Sequence, residues 1–430
     1  FYNKINYYKN NIFIIIKTMA TNFSLLPSNH PANNVIKFSG VPLINFTLAA
    51  NSSAVLQGSS VRLCGKFTAK TSAGGVIPSG TANLDERLGI YSLFDRLSIS
   101  LLNNSQIIEE IKYYSRFLSS FTGVTQSSNQ LLSSSNVQYG STIAQGSASD
   151  FVVSGTAAGE SEQFFSISLP CGLFQSANPI NLQHGLVISV SLVPDAQAFR
   201  ADGGTAPTYE LSDIHLSGTM VTGLQTIPRE LSYNSITSYY SVINSAFATL
   251  NFNLGTSNTI GAWVTFIPAE NTNNYQKSGT RCLPIMKSAL EPCVISDLQF
   301  LMNGSKVALE YPIEDNNNPE GHTLFNSQIM RNFMSAIKNF SSLTNSDVGP
   351  INTNLTQGYA DKLDKEKGDF ITGVGIKLDN YSDQGINMSS GNFTVQFTSD
   401  LDTDFPNSAY MFVHSRNRVE FTDAGIQVLN

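Results

Sequence analysis

Run after run in this chain is written with a period of two. Leu97-Ser98-Ile99-Ser100-Leu101, Phe165-Ser166-Ile167-Ser168-Leu169, Ile188-Ser189-Val190-Ser191-Leu192, Leu250-Asn251-Phe252-Asn253-Leu254 and Phe393-Thr394-Val395-Gln396-Phe397 each set apolar residues against small polar ones. Such a strand buries one face only and needs a second layer to cover it. Clusters such as Ser72-Ala73-Gly74-Gly75 and Asp202-Gly203-Gly204-Thr205 separate the runs and read as loops. Short strands punctuated this way predict an all-β sandwich or barrel and not a sheet covered by helices. Composition points the same way. Only 13% of the 430 residues are charged, against about a quarter in a typical soluble protein. Ser, Thr, Asn and Gly fill the polar positions, as strand connections prefer, where exposed helix faces would draw on Glu, Lys and Arg.

Two stretches break the period. Ile107, Ile111, Tyr114, Leu118 and Phe121 recur at helical spacing, as do Ile329, Phe333, Ile337 and Phe340, so each stretch predicts one amphipathic helix packed on a sheet. Glu109-Glu110 then falls at the start of the first helix, where carboxylates meet the helix dipole favourably.

The surroundings of the helices reveal a repeat. Leu101-Leu102-Asn103-Asn104-Ser105-Gln106-Ile107 lines up with Leu301-Met302-Asn303-Gly304-Ser305-Lys306-Val307 at an offset of 200 residues. Asn-Asn and Asn-Gly both suit a hairpin turn that needs positive φ. Leu118-Ser119-Ser120-Phe121-Thr122 resembles Phe340-Ser341-Ser342-Leu343-Thr344 at an offset of 222, which implies an insertion in the second half, placed over Glu314 to Gly321. A Gly-led strand follows in each half, Gly185 to Leu192 and Gly391 to Thr398, and then a Tyr-led one from Tyr209 and Tyr410. The constant order predicts a duplication joined near Gly223 to Pro228, with units at 41–226 and 227–430, and the length suits two units of ordinary size.

Residues 1–18 (FYNKINYYKNNIFIIIKT) consist almost entirely of Phe, Tyr, Asn, Lys and Ile, the residues with AT-rich codons, and Met19-Ala20 opens a stretch of different composition. They read as upstream read-through; a signal peptide is the weaker alternative, lacking a small-residue cleavage site. The apolar run Ile12 to Ile16 is far shorter than the ~20 residues a bilayer requires. Residues 19–40, with Pro27, Asn29 and Pro31, read as an N-terminal arm that orders on contact with a neighbour or an internal membrane.

Motifs for chemistry are sparse. A formal net charge of -7 argues against broad adhesion to nucleic acid, which needs Lys and Arg to displace counterions. Cys64, Cys171, Cys282 and Cys293 form no CxxC pair and read as free, buried thiols of a reducing compartment. His30, His184, His215, His322 and His414 lie too far apart for a local metal motif and read as surface or loop residues. Gly155-Thr156-Ala157-Ala158-Gly159 lacks the Ser of a nucleophile elbow, and Gly65-Lys66 is followed by Phe67, which does not suit a phosphate loop. The mixed-charge run Asp361 to Asp369 reads as a solvated loop. Sequons such as Asn45-Phe46-Thr47 and Asn392-Phe393-Thr394 are expected by chance in this composition. No residue is singled out as catalytic, cofactor-binding or metal-binding, and no cofactor is implied.

A β unit of roughly 200 residues, with one helix after a central hairpin, repeated in tandem, resembles the double jelly-roll major capsid proteins of the tectivirus and adenovirus lineage, which includes virophages and polinton-like viruses. Arg87 to Ile99 looks like the strand before the helix in that family, and Ser212-Asp213-Ile214-His215-Leu216 like the last strand of its first roll. The resemblance implies an all-β fold of two tandem eight-stranded jelly rolls, each with a short helix inserted after a central hairpin. It also implies a structural protein of a DNA virus, not an enzyme, made inside the host cell and carried in the virion. Three chains would form a pseudo-hexagonal capsomer through apolar interfaces, and weaker polar contacts would join trimers into an icosahedral shell. Minor capsid or penton proteins and an internal membrane are its implied further partners, with no sequence-specific nucleic acid.

Two rivals come from other classes. A carbohydrate-binding or adhesin-type β-sandwich would share the composition but should display aromatic platforms, and the single Trp263 lies in the strand-like run Ala262-Trp263-Val264-Thr265-Phe266, where core is expected. A β-sandwich hydrolase would need clustered carboxylates.

Overall fold

The computed structural model describes residues 19–31, 34–75, 82–84, 89–125, 151–152, 162–201, 206–224, 226–268, 295–307, 332–333, 335–337, 374–378, 385–399 and 406–429. Its first half contains β1 (Met19–Leu25), β2 (Leu43–Leu48), β3 (Ala54–Thr71), β4 (Phe94–Leu101), β5 (Ile107–Lys112), β6 (Glu162–Ser168), β7 (Leu186–Leu192) and β8 (Pro207–Thr222). These pair antiparallel into two sheets, with strand orders β1-β8-β3-β6 and β2-β7-β4-β5. The chain crosses repeatedly from one sheet to the other, which is the wrapping of a jelly roll.

The second half contains β9 (Glu230–Val242), β10 (Phe247–Asn253), β11 (Thr259–Pro268), β12 (Ile295–Met302), β13 (Ser305–Lys306), β14 (Val374–Lys377), β15 (Asn392–Ser399) and β16 (Pro406–Thr422). Their orders are β9-β16-β11-β14 and β10-β15-β12-β13. Raising each strand number of the first roll by eight gives the second roll, so the repeat in the sequence is a repeat of topology. The fold is two tandem eight-stranded jelly rolls. A last strand, β17 (Gly425–Leu429), extends the sheet of β16.

Alternation becomes burial as the period demands. β7 buries Leu186, Ile188, Val190 and Leu192 and turns Val187, Ser189 and Ser191 outward; β10 buries Ala248, Leu250 and Phe252 between exposed residues. Each large side chain buried this way contributes about 1.5–3 kcal/mol. The second hairpin turns at Asn303 (φ 51°) and Gly304 (φ 80°), as its Asn-Gly pair predicts. The first also turns through Leu102, Asn103 and Asn104, but its positive φ falls on Ser105 (57°), whose N–H donates to Leu101 O at 3.0 Å, and the loop is longer.

Several expectations need correction. Ile107–Lys112 is not the first turn of a helix but β5, paired to β4 with Leu97 opposite Ile111 and Ile99 opposite Glu109. The four-residue spacing of Ile107, Ile111 and Tyr114 imitated a helix, but a run rich in β-branched Ile beside a free strand edge pairs as a strand. Helix α1 begins only at Tyr114 and runs to Thr125. Gly89–Leu93, within the expected strand Arg87 to Ile99, is a 3-10 turn. Met19–Leu25 does not wait for a neighbour: it is the edge strand β1, in register from Met19 opposite Thr222 to Leu25 opposite Leu216, with Phe23 and Leu25 packed against the core. In the second half, residues 332–333 and 335–337 are helical, and Phe333 and Ile337 are buried. Residues 1–18, Asp202 to Thr205, Glu314 to Gly321, Ile329, Phe340 to Thr344 and Asp361 to Asp369 lie outside the described residues.

The rolls are fused at one seam. Phe117 of α1 packs on Trp263 of β11 (6.1 Å between centroids) and edge-on to Phe412 of β16 (5.5 Å), and Trp263 Nε1 donates to Ser120 Oγ at 2.8 Å. The helix of the first roll is thus core for the second, and Trp263 is fully buried as expected. A short helix, α2 (Gly172–Gln175), abuts β9 so closely that a Cβ on Gly172 would lie 1.5 Å from Asn234 O. Gly172→Ala is therefore expected to force the rolls apart, lowering stability by about 1–3 kcal/mol or more. Thermal unfolding read by the emission of Trp263, the only Trp in the chain, checks this: a lower midpoint and a red-shifted native spectrum are expected.

Candidate assembly surface

Among the described residues, a carboxyl with three backbone donors lies in the seam. β5 turns Glu109 inward and Glu110 outward, where Glu110 meets Arg96 (3.3 Å) and Lys112 (3.6 Å). Glu109 is buried. Its Oε1 accepts from Gly172 N (3.0 Å) and Ile236 N (3.4 Å), and its Oε2 from Leu173 N (2.7 Å). The donors come from both rolls, so one carboxyl staples α2 of the first roll and β9 of the second. This replaces the expected role at the start of α1. Nearby, Tyr233 Oη donates to Ile108 O at 2.7 Å across the seam. A charged letter at an inward position of Ile107-Ile108-Glu109-Glu110-Ile111 was the one signal of this site in the sequence.

Burial pushes Glu109 up to about 7, opposed by the backbone N–H groups of Leu173, Gly172 and Ile236 and by Cys171. Burial, reinforced by the Glu109 charge, also pushes the Cys171 thiol well above its usual value, so it is no nucleophile; its Sγ accepts from Phe174 N at 3.5 Å. Cys64 is half-buried and donates to Ser166 Oγ at 3.3 Å. Cys282 and Cys293 lie outside the described residues, as does His322.

Of the histidines read as surface or loop residues, two are buried, His184 in a turn and His414 within β16. His184 Nε2 donates to Thr422 O (2.5 Å) while Nδ1 accepts from Asn103 Nδ2 (2.6 Å), a second tie between the rolls. His414 is held neutral, with burial lowering its pKa to about 3. His30 and His215 share with Asp213 a surface cleft of about 240 Å³. Among the described residues no group of three or more His, Cys, Asp or Glu could hold a metal ion.

Tyr240, Val242 and Phe247 are exposed around the β9–β10 turn, and Tyr240 also lies against Tyr113 (5.8 Å) and Tyr410 (5.2 Å) at the seam. Exposed apolar residues scattered singly are ordinary, but grouped ones mark interfaces. The surface ion pairs, such as Lys66 with Asp213 at 2.9 Å, are each worth under about 1 kcal/mol.

No protein-family model and no curated protein matches the sequence. Solved structures match the fold along its length. A quasi-atomic model of the PBCV-1 virus capsid aligns over 99% of both chains at 8% identity, with a TM-score of 0.58. The Sputnik virophage structure aligns over 99% of this chain and 91% of that one, at 13% identity and a TM-score of 0.55. The mavirus major capsid protein aligns over 99% and 92%, at 13% identity and 0.51.

Glu109 gives the seam a pH dependence of definite sign. Its folded pKa of about 7 exceeds its ordinary 4.5, so the stability it contributes is complete below about 4.5 and lost as pH rises through 7, at most about 3 kcal/mol in all. Urea midpoints from pH 4 to 8 are expected to fall more steeply in the wild type than in Glu109→Gln. Parallel curves would show that Glu109 is not titrating there.

Proposed function

We propose that this chain is a viral major capsid protein that assembles with copies of itself into pseudo-hexameric trimers, and these into an icosahedral shell. The observation that carries the reading is the duplicated jelly roll, matched along its length by capsid proteins of PBCV-1, the Sputnik virophage and mavirus. Duplication has a physical use. Two similar rolls per chain give a trimer six similar units, which tile a surface hexagonally while each chain keeps two distinct faces for different neighbours.

The residues fit this role. A chain with only 13% charged residues and grouped exposed apolar side chains at Tyr240, Val242 and Phe247 suits contact between copies. Glu109 and His184 are taken up in bonds that join the rolls, and the reading assigns no catalytic residue, metal or cofactor. It divides the chain near Gly223 to Pro228 into its two rolls, places the protein in the virion, and allows minor capsid or penton proteins and an internal membrane as partners.

Light scattering coupled to size exclusion tests the reading on residues 19–430. A native mass three times that of the chain, or larger particles as concentration rises, is expected. A monomer at every concentration would contradict it.

A further inference from the structure

The rolls repeat each other strand for strand but treat one edge differently. β2 and β10 are equivalent outer strands. Each turns alternate residues inward, Ile44, Phe46 and Leu48 in one and Ala248, Leu250 and Phe252 in the other. In the first roll the long connection from β1 runs back along the outer side of β2. Ser28 N donates to Asn45 O (2.7 Å), Asn45 N donates to Asn29 Oδ1 (2.9 Å), and His30 Nε2 and Asn29 Nδ2 donate to Leu43 O (2.9 and 2.6 Å). The chain thereby covers its own edge.

In the second roll the β9–β10 connection is only residues 243–246, too short to fold back along the strand. Its contact with β10 is the Ser245 hydroxyl donating to Phe247 O at 2.6 Å. By the alternation that turns Leu43 and Asn45 outward, the edge row is Phe247, Thr249, Asn251 and Asn253. Asn251 Oδ1 accepts from Thr394 Oγ1 (2.8 Å) within its own sheet, and among the described residues no segment pairs with the outer main chain of this row. β10 also lacks the devices that keep an edge from pairing: no charge, no proline, and an unbroken register from Phe247 opposite Thr398 to Asn253 opposite Asn392.

We propose that the outer edge of β10 pairs antiparallel with β10 of a second copy of this chain. The inference rests on the capsid reading, which supplies the second copy. Pairing centred on Leu250 sets Phe247 opposite Asn253 and Thr249 opposite Asn251, so the neutral row complements itself without like charges. At each end of the pair, Phe247 of one copy, exposed in the chain alone, comes to lie beside Asn253 of the other. A contact of this kind has two-fold symmetry, so it joins one trimer to another and does not close the trimer.

Hydrogen exchange read by mass spectrometry tests this on free trimers and assembled shells. The segment Phe247 to Leu254 is expected to exchange its outer amides quickly in trimers and to gain protection in shells. The double variant Thr249→Lys with Asn251→Lys, which sets lysine against lysine, is expected to keep the trimer mass, to melt slightly lower for loss of the Asn251–Thr394 bond, and to assemble at roughly tenfold or higher concentration. Full protection already in free trimers, or exchange unchanged in shells with the variant assembling like the wild type, would overturn the proposal. A wild type that forms neither trimers nor shells would overturn the capsid reading itself.

Discussion

A jelly roll buries only the inner faces of its two sheets, so two rolls on one chain behave as separate beads unless they share core. Here they share it through α1. Phe117 sits in the first roll by sequence and against Trp263 and Phe412 by packing, and one continuous cluster of buried residues runs from Ile44 and Phe46 through Phe117 to Trp263, Tyr410 and Phe421. The second roll keeps a further core of its own around Leu250, Phe266, Val395 and Met411. A helix inserted after the central hairpin is thus the part that converts a duplication into one block.

Polar groups complete the block. Glu109, His184 and Tyr233 each bond across the seam, and each would leave a buried donor or acceptor without a partner if the rolls docked out of register. An unsatisfied buried group costs about 1–3 kcal/mol, so these few bonds select one docking of the rolls over displaced ones. The C-terminal hairpin contributes the same kind of tie at the rim: Gln106 Nε2 donates to Ile426 O (2.9 Å) and Ile426 N donates to Gln106 Oε1 (3.1 Å), so a side-chain amide of the first roll mimics a strand partner for β17.

Much of this was legible in the sequence because the signal was periodic. Alternation located the inward residues of β4, β6, β7, β10 and β15, and the matched turns at 101–107 and 301–307 located the same hairpin in both rolls. What escaped was decided by contacts distant in the chain. Ile107–Lys112 carries a helical spacing, and only its pairing with β4 makes it a strand. Met19–Leu25 has one strongly alternating end, Phe23-Ser24-Leu25, and becomes a strand because the long β8 offers it an edge. The seam was the least visible part: Gly172 and Glu109 are ordinary letters until Asn234 and Ile236 are brought beside them. His184, read as a surface or loop residue, lies in a turn that the second roll covers, and His414, read the same way, sits inside a strand between Ile236 and Gly261 of its own roll; nothing local announces either burial.

Whether two fused rolls per chain become six around a threefold axis decides the proposed assembly. Electron cryo-microscopy of particles assembled from residues 19–430 measures this directly. Capsomers of three chains with a nearly hexagonal outline are expected, with six roll-shaped densities and strands standing roughly perpendicular to the shell. Particles built from isolated chains, or from capsomers in which the two rolls of a chain are separated, would contradict the proposed assembly.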